Sequence, residues 1–163
     1  MKLKVWSIFA LFCLALPAFV SCSDDDNEDS LAIGNATGTY SGSLSAKVMT
    51  SDFPMEGEFQ LSIVSQKDNS EEVTVVLPQC SFTPPGSPMT QVIPSISVAD
   101  VDIEASGSGY TIKEDEFMVV LDDVTYTGSI NGTVSGDVAK INYSMTPGKM
   151  PMQINFTFNG TKN

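Results

Sequence analysis

From Thr37 onward, apolar and polar positions alternate with a period of two, and no segment carries a helical repeat. Tyr40, Gly42, Leu44, Ala46 and Val48 share one face of a first strand, with Ser41, Ser43, Ser45 and Lys47 opposite. A second strand over 56–64 turns Phe59, Leu61 and Ile63 inward, and a polar turn over 66–70 follows it. Val73, Val75 and Leu77 line a third. Pro84-Pro85-Gly86-Ser87-Pro88 is a loop, because prolines cannot join a sheet ladder. Val92, Ile93, Ile96, Val98, Val101 and Ile103 form a long β-rich stretch, in which Pro94 predicts an edge, bulge or bend.

Gly107-Ser108-Gly109 is a turn, and Tyr110 and Ile112 open the next strand. Phe117-Met118-Val119-Val120-Leu121 is apolar without alternation, the pattern of a strand covered on both faces. A hairpin runs from 126–135 through Gly136-Asp137 to 139–145, and Ile154, Phe156 and Phe158 close the chain. About eight to ten short antiparallel strands with turns between them predict an all-β sandwich or barrel. A closed up-and-down barrel is favoured because closure removes exposed edges. Gly42, Gly57, Gly128 and Gly132, in strand positions, suit the kinks of a curling sheet.

The first residues follow another rule. Lys2 and Lys4 precede an apolar run over 5–16, too short to span a bilayer and cut off by Pro17. This is the pattern of a secretory signal. Ala18-Phe19-Val20-Ser21-Cys22 resembles the lipobox of bacterial lipoproteins, with Cys22 as the acylated residue and Phe19 departing from the usual aliphatic. Ser23-Asp24-Asp25-Asp26-Asn27-Glu28-Asp29 resembles the Bacteroidetes export signal that sends lipoproteins to the outer face of the outer membrane. A dense like-charge run stays extended and holds a domain off its membrane. Asp29-Ser30-Leu31 resembles a Bacteroidetes O-glycosylation site, with Ser30 as acceptor. The expected organisation is a signal peptide over 1–21, an acidic tether over 22–35 and a barrel domain over 36–163.

Three stretches resemble the calycin-like β-barrel domain of Bacteroidetes lipoproteins. They are Gly38-Thr39-Tyr40-Ser41-Gly42-Ser43-Leu44, the glycine-spaced segment 128–137, and Pro147-Gly148-Lys149-Met150-Pro151-Met152 with 156–162. The resemblance spans roughly 36–162 and implies a lipocalin-like barrel with no established activity. Gly38-Thr39-Tyr40 stands where lipocalins carry Gly-x-Trp. Lipocalins set a late arginine against that ring; this chain has no arginine, and Lys162 is the nearest substitute.

Composition narrows the chemistry. The 163 residues carry 8 lysines against 20 acids, with no histidine, for a net charge of −12. That balance excludes ordinary nucleic-acid binding, which draws its affinity from cations on phosphates. Without histidine, Ser-His-Asp and Cys-His catalysis are absent. Once Cys13 leaves with the signal and Cys22 is acylated, Cys80 has no disulfide partner and is expected as a small buried hydrophobe. The carboxylates cluster as Asp100-Asp102-Glu104, Glu114-Asp115-Glu116 and Asp122-Asp123. Asp100, Asp102 and Glu104 share one solvent face instead of facing a partner across a cleft, and neither other cluster has calcium-loop spacing.

Met145, Met150 and Met152 flank a Pro-Gly turn and are expected as apolar filler, not as metal or haem ligands. The five Asn-x-Ser/Thr triplets, at Asn35, Asn131, Asn142, Asn155 and Asn159, are turn and strand residues in a bacterial lipoprotein. The predicted protein is non-enzymatic, needs no cofactor or metal, and is anchored to the outer membrane by lipid. Fold analogy gives the barrel a small apolar or amphipathic ligand. The alternative is a filled barrel serving as a structural or protein-interaction module on a surface complex. Tyr40, Leu44, Phe59, Phe156 and Phe158 project inward under either, so they do not define a ligand site.

Overall fold

A computed structural model describes residues 33–66, 69–83, 88–148 and 152–163. A helical turn at 33–36 leads into eleven strands: β1 (Gly38–Val48), β2 (Ser51–Pro54), β3 (Phe59–Gln66), β4 (Asn69–Leu77), β5 (Cys80–Phe82), β6 (Gln91–Ile93), β7 (Ile96–Ser106), β8 (Gly109–Leu121), β9 (Val124–Ser135), β10 (Val138–Pro147) and β11 (Ile154–Lys162). Eight of them, β1, β3, β4 and β7 to β11, pair in sequence, and β11 returns to β1 over Tyr40↔Lys162 to Val48↔Ile154. The result is the predicted closed antiparallel barrel. β2 pairs with the far half of β1 and β3 with the near half, so the two act as one strand interrupted at 55–58.

Alternation is what closes it. Leu44, Ala46 and Val48 of β1 are buried, while Ser45 and Lys47 between them are exposed. The turns carry the left-handed backbone that two-residue hairpins require. Asp122 and Asp123 both have positive φ, 50° and 62°, and link Leu121 to its partner Val124. Gly136, at φ 55°, does the same between Ser135 and Val138. The Asp122-Asp123 cluster is therefore a hairpin turn. Pro94 marks the break between β6 and β7, as expected, and Ser95 Oγ there donates to the Leu77 carbonyl at 2.8 Å.

Among the described residues, side chains pack the inside of the barrel. Tyr40, Phe156, Phe158, Leu61, Ile112 and Ile130, drawn from five strands, each keep less than 2 % of their surface exposed. A void that admits water would leave surface on the side chains around it, and these have almost none. Eight strands enclose a space that side chains can just fill. Tyr143 and Phe156 stack inside at 4.7 Å.

Short elements pack against the core at both ends. At one, Ile33 and Ala36 of the helical turn are buried. At the other, the β5–β6 hairpin folds back with Cys80, Phe82 and Ile93 in the core, and Phe82 meets Phe53 at 5.7 Å.

One strand departs from expectation. Phe117 is buried, but Met118 and Val120 are 69 % and 65 % exposed, so the apolar run 117–121 is covered on one face only. Its uncovered face borders a place where the barrel wall opens.

Candidate functional site

The opening lies between β7 and β8. These strands pair from Ser106↔Gly109 to Asp102↔Lys113 and then part. Beyond that point, residues 96–101 of β7 pair only with β4, and 117–121 of β8 only with β9, among the described residues. A bulge sits on each strand near the fork. In β7 the register slips between its pairs with Val73 and Val75, where Asp100 takes φ 58°. In β8 it slips between Glu114 and Phe117. An extra residue bends its strand and increases its twist, so two bulges here turn the strands away from each other.

The groove holds about 350 Å3, lined by 97–100 of β7 and by Glu114 and 116–119 of β8. Val98 and Phe117, both buried, form its floor. Gly128 of β9 lies opposite Phe117, and a Cβ there would collide with the Phe117 ring and the Ser144 carbonyl, so the glycine seats the ring. Carboxylates occupy the end nearest the fork. Asp100 Oδ1 accepts from Gln66 Nε2 at 3.1 Å, and Glu114 Oε1 accepts from the Glu116 backbone N–H at 3.2 Å. Lys113, beside them, is held by Asp115 at 2.7 Å, a bond that raises its pKa above the ordinary value.

Asp100, Asp102, Glu104 and Glu116 are all exposed. Among the described residues, no three His, Cys, Asp or Glu side chains gather as a metal site. Met145 is buried and Met152 packs against the core, as filler would. Asn131, Asn142, Asn155 and Asn159 are exposed strand residues, and Asn142 Oδ1 accepts from Thr157 at 2.9 Å. Cys80 is free and buried, and burial pushes its thiol pKa up to about 12.

The lipocalin-like corner is built from different residues for a related task. The Tyr40 hydroxyl donates to the Ala36 carbonyl at 2.7 Å, and Lys162 Nζ donates to the Asn35 carbonyl at 3.1 Å. Both fasten the C-terminal end of the helical turn, where carbonyls lack helical donors and a cation is favoured. The Lys162 stem lies over Gly38, where a Cβ would meet its Cε at 2.6 Å.

Of the inward residues named from sequence, Tyr40, Leu44, Phe156 and Phe158 are core, and Phe59 is half-buried against it. Cys22, Ser30, the acidic tether up to residue 32, the loop residues 84–87 and Met150 lie outside the described residues. Sequence reasoning missed the groove, although the unbroken apolar run 117–121 was its signal.

A closed eight-stranded antiparallel barrel is the architecture of the calycin class. The family model of the calycin-like β-barrel domain matches residues 36–161, and the chain belongs to that family. Among solved structures, it is similar to a "putative outer membrane protein" of Bacteroides fragilis, with a TM-score of 0.66 and 23 % identity. That match covers 79 % of this chain and 52 % of the other, so the chain spans about half the length of that neighbour. A protein of M. tuberculosis matches with a TM-score of 0.43 and 14 % identity, over 83 % of this chain and 98 % of its own. No curated protein matches the chain in sequence.

Proposed function

We propose that the chain is an outer-membrane lipoprotein, acylated at Cys22 and carried on an acidic tether toward the cell exterior, whose barrel acts as a non-catalytic interaction module. The observation that carries the interaction reading is the packed interior. The packing of Tyr40, Phe156 and Phe158 supports this reading over the small apolar or amphipathic ligand suggested by fold analogy, which would need room among them. Recognition then falls to the outside of the barrel. The lipobox at 18–22 and the acidic run after it support the anchor, and the name of the Bacteroides fragilis neighbour agrees with an outer-membrane setting.

Two acyl chains hold a protein stably, at about 0.8 kcal/mol for each buried methylene. Metabolic labelling with an alkyne fatty acid tests the anchor. Label on the wild-type chain, absent from Cys22→Ala together with its membrane association, is the expected result. An unlabelled chain that still sediments with membranes would refute it. Protease treatment of intact cells should degrade the barrel domain, whereas protection would place it on the periplasmic side. A glycan on Ser30 predicts a mass increment that Ser30→Ala removes.

A further inference from the structure

We propose that the β7–β8 groove receives an extended, basic segment of a partner protein, which pairs along the free edge of β8. This rests on the interaction reading above and names its site. Beyond the fork, every second residue of β8 turns its N–H and C=O toward the groove instead of toward β9. Such an edge is a template for another strand. Side chains are supplied on both faces of the place a strand would take. Val98 and Phe117 lie inside it, and Met118 and Val120 stand exposed outside it.

Charge selects the occupant. Asp100, Glu114 and Glu116 line the groove, Asp122 and Asp123 end β8, and the neighbouring Lys113 is engaged by Asp115. A second copy would bring the same acids against themselves, which disfavours self-pairing. A segment alternating apolar residues with lysine or arginine satisfies each element: apolar side chains toward Val98 and Phe117, long cationic stems over Met118 and Val120, and charges toward the acids.

Hydrogen exchange followed by mass spectrometry on the full chain in detergent micelles tests this, with a synthetic (Lys-Val)4 peptide as probe and (Glu-Val)4 as control. The basic peptide should slow exchange of the groove-facing amides of 117–121 roughly tenfold, about what one added hydrogen bond supplies. The acidic peptide should leave them unchanged. Met118→Lys with Val120→Lys changes two exposed side chains, so it should abolish the protection while leaving the unfolding temperature unaltered. No protection at 117–121, equal protection by both peptides, or protection surviving the double variant would each overturn the proposal. Absence of protection in a chain that also carries no interior ligand would remove only this docking site. A ligand found inside the barrel would remove the interaction reading itself.

Discussion

Tyr40 shows how one hydroxyl ties a peripheral turn to the barrel. Its ring is part of the core, and its only polar atom reaches the carbonyl of Ala36, a residue with no exposed surface. Tyr40→Phe keeps the ring and leaves that carbonyl without its donor, which should cost about 1–2 kcal/mol in urea unfolding. Lys162→Ala removes an exposed bond to Asn35 and should cost less than Tyr40→Phe.

Cys80 gives a second test at this scale. Burial raises its pKa from 9.0 to about 12, so the folded chain keeps a proton that the unfolded chain loses above pH 9. Its contribution to stability is complete below pH 9 and declines as pH rises toward 12. Burial shifts Tyr40 and Tyr143 in the same direction from about 10, with smaller contributions from Asp137 and Cys80 respectively. Stability measured from pH 8 to 12 should therefore fall steadily, and native Cys80 should resist a thiol reagent at pH 8 until the chain unfolds. Rapid labelling of the folded protein would contradict its burial.

Among the elements, the long strands were legible because alternation states which face is buried. It also located the 136–137 turn and the break at Pro94. β2 and β5 were not legible, since three or four residues are too few to establish a period, and β6 was legible only as the start of the β-rich stretch that Pro94 interrupts. The bulges left a trace. Inward residues run Ile96, Val98, Val101, Ile103, a slip of one position, and Ile112 to Phe117 carries another. A slip in one strand does not reveal that its neighbour slips at the same level, so the fork required the register of both. The five apolar residues 117–121 suggested a doubly covered strand, whereas β8 buries only one face and leaves the other beside an open groove. Gly128 belongs to the same device. Gly128→Ala should cost roughly 3 kcal/mol, because the new methyl meets the Ser144 carbonyl and displaces the Phe117 ring. Phe117→Ala should cost a similar amount, about 3–4 kcal/mol, by emptying the floor of the groove. Thermal or urea unfolding checks both, and a cost below about 1 kcal/mol would mean that the ring is not seated on the glycine.

For the molecule as a whole, sequence fixed less of the function than of the fold. A filled barrel and a hollow one need the same inward apolar residues, so alternation cannot distinguish them. Side-chain size and strand tilt decide, and only the assembled barrel exhibits both. A barrel that recognises partners from outside, as proposed, carries no ligand within. Native mass spectrometry of the full chain, extracted in mild detergent from a bacterial host, tests it most directly. The account predicts the mass of the acylated polypeptide, with any Ser30 glycan, and no further bound molecule, unchanged after incubation with lipids, haem or glycans. A reproducible non-covalent adduct, lost on organic extraction and retained when the groove is blocked by Met118→Lys and Val120→Lys, would place a ligand inside the barrel and contradict it.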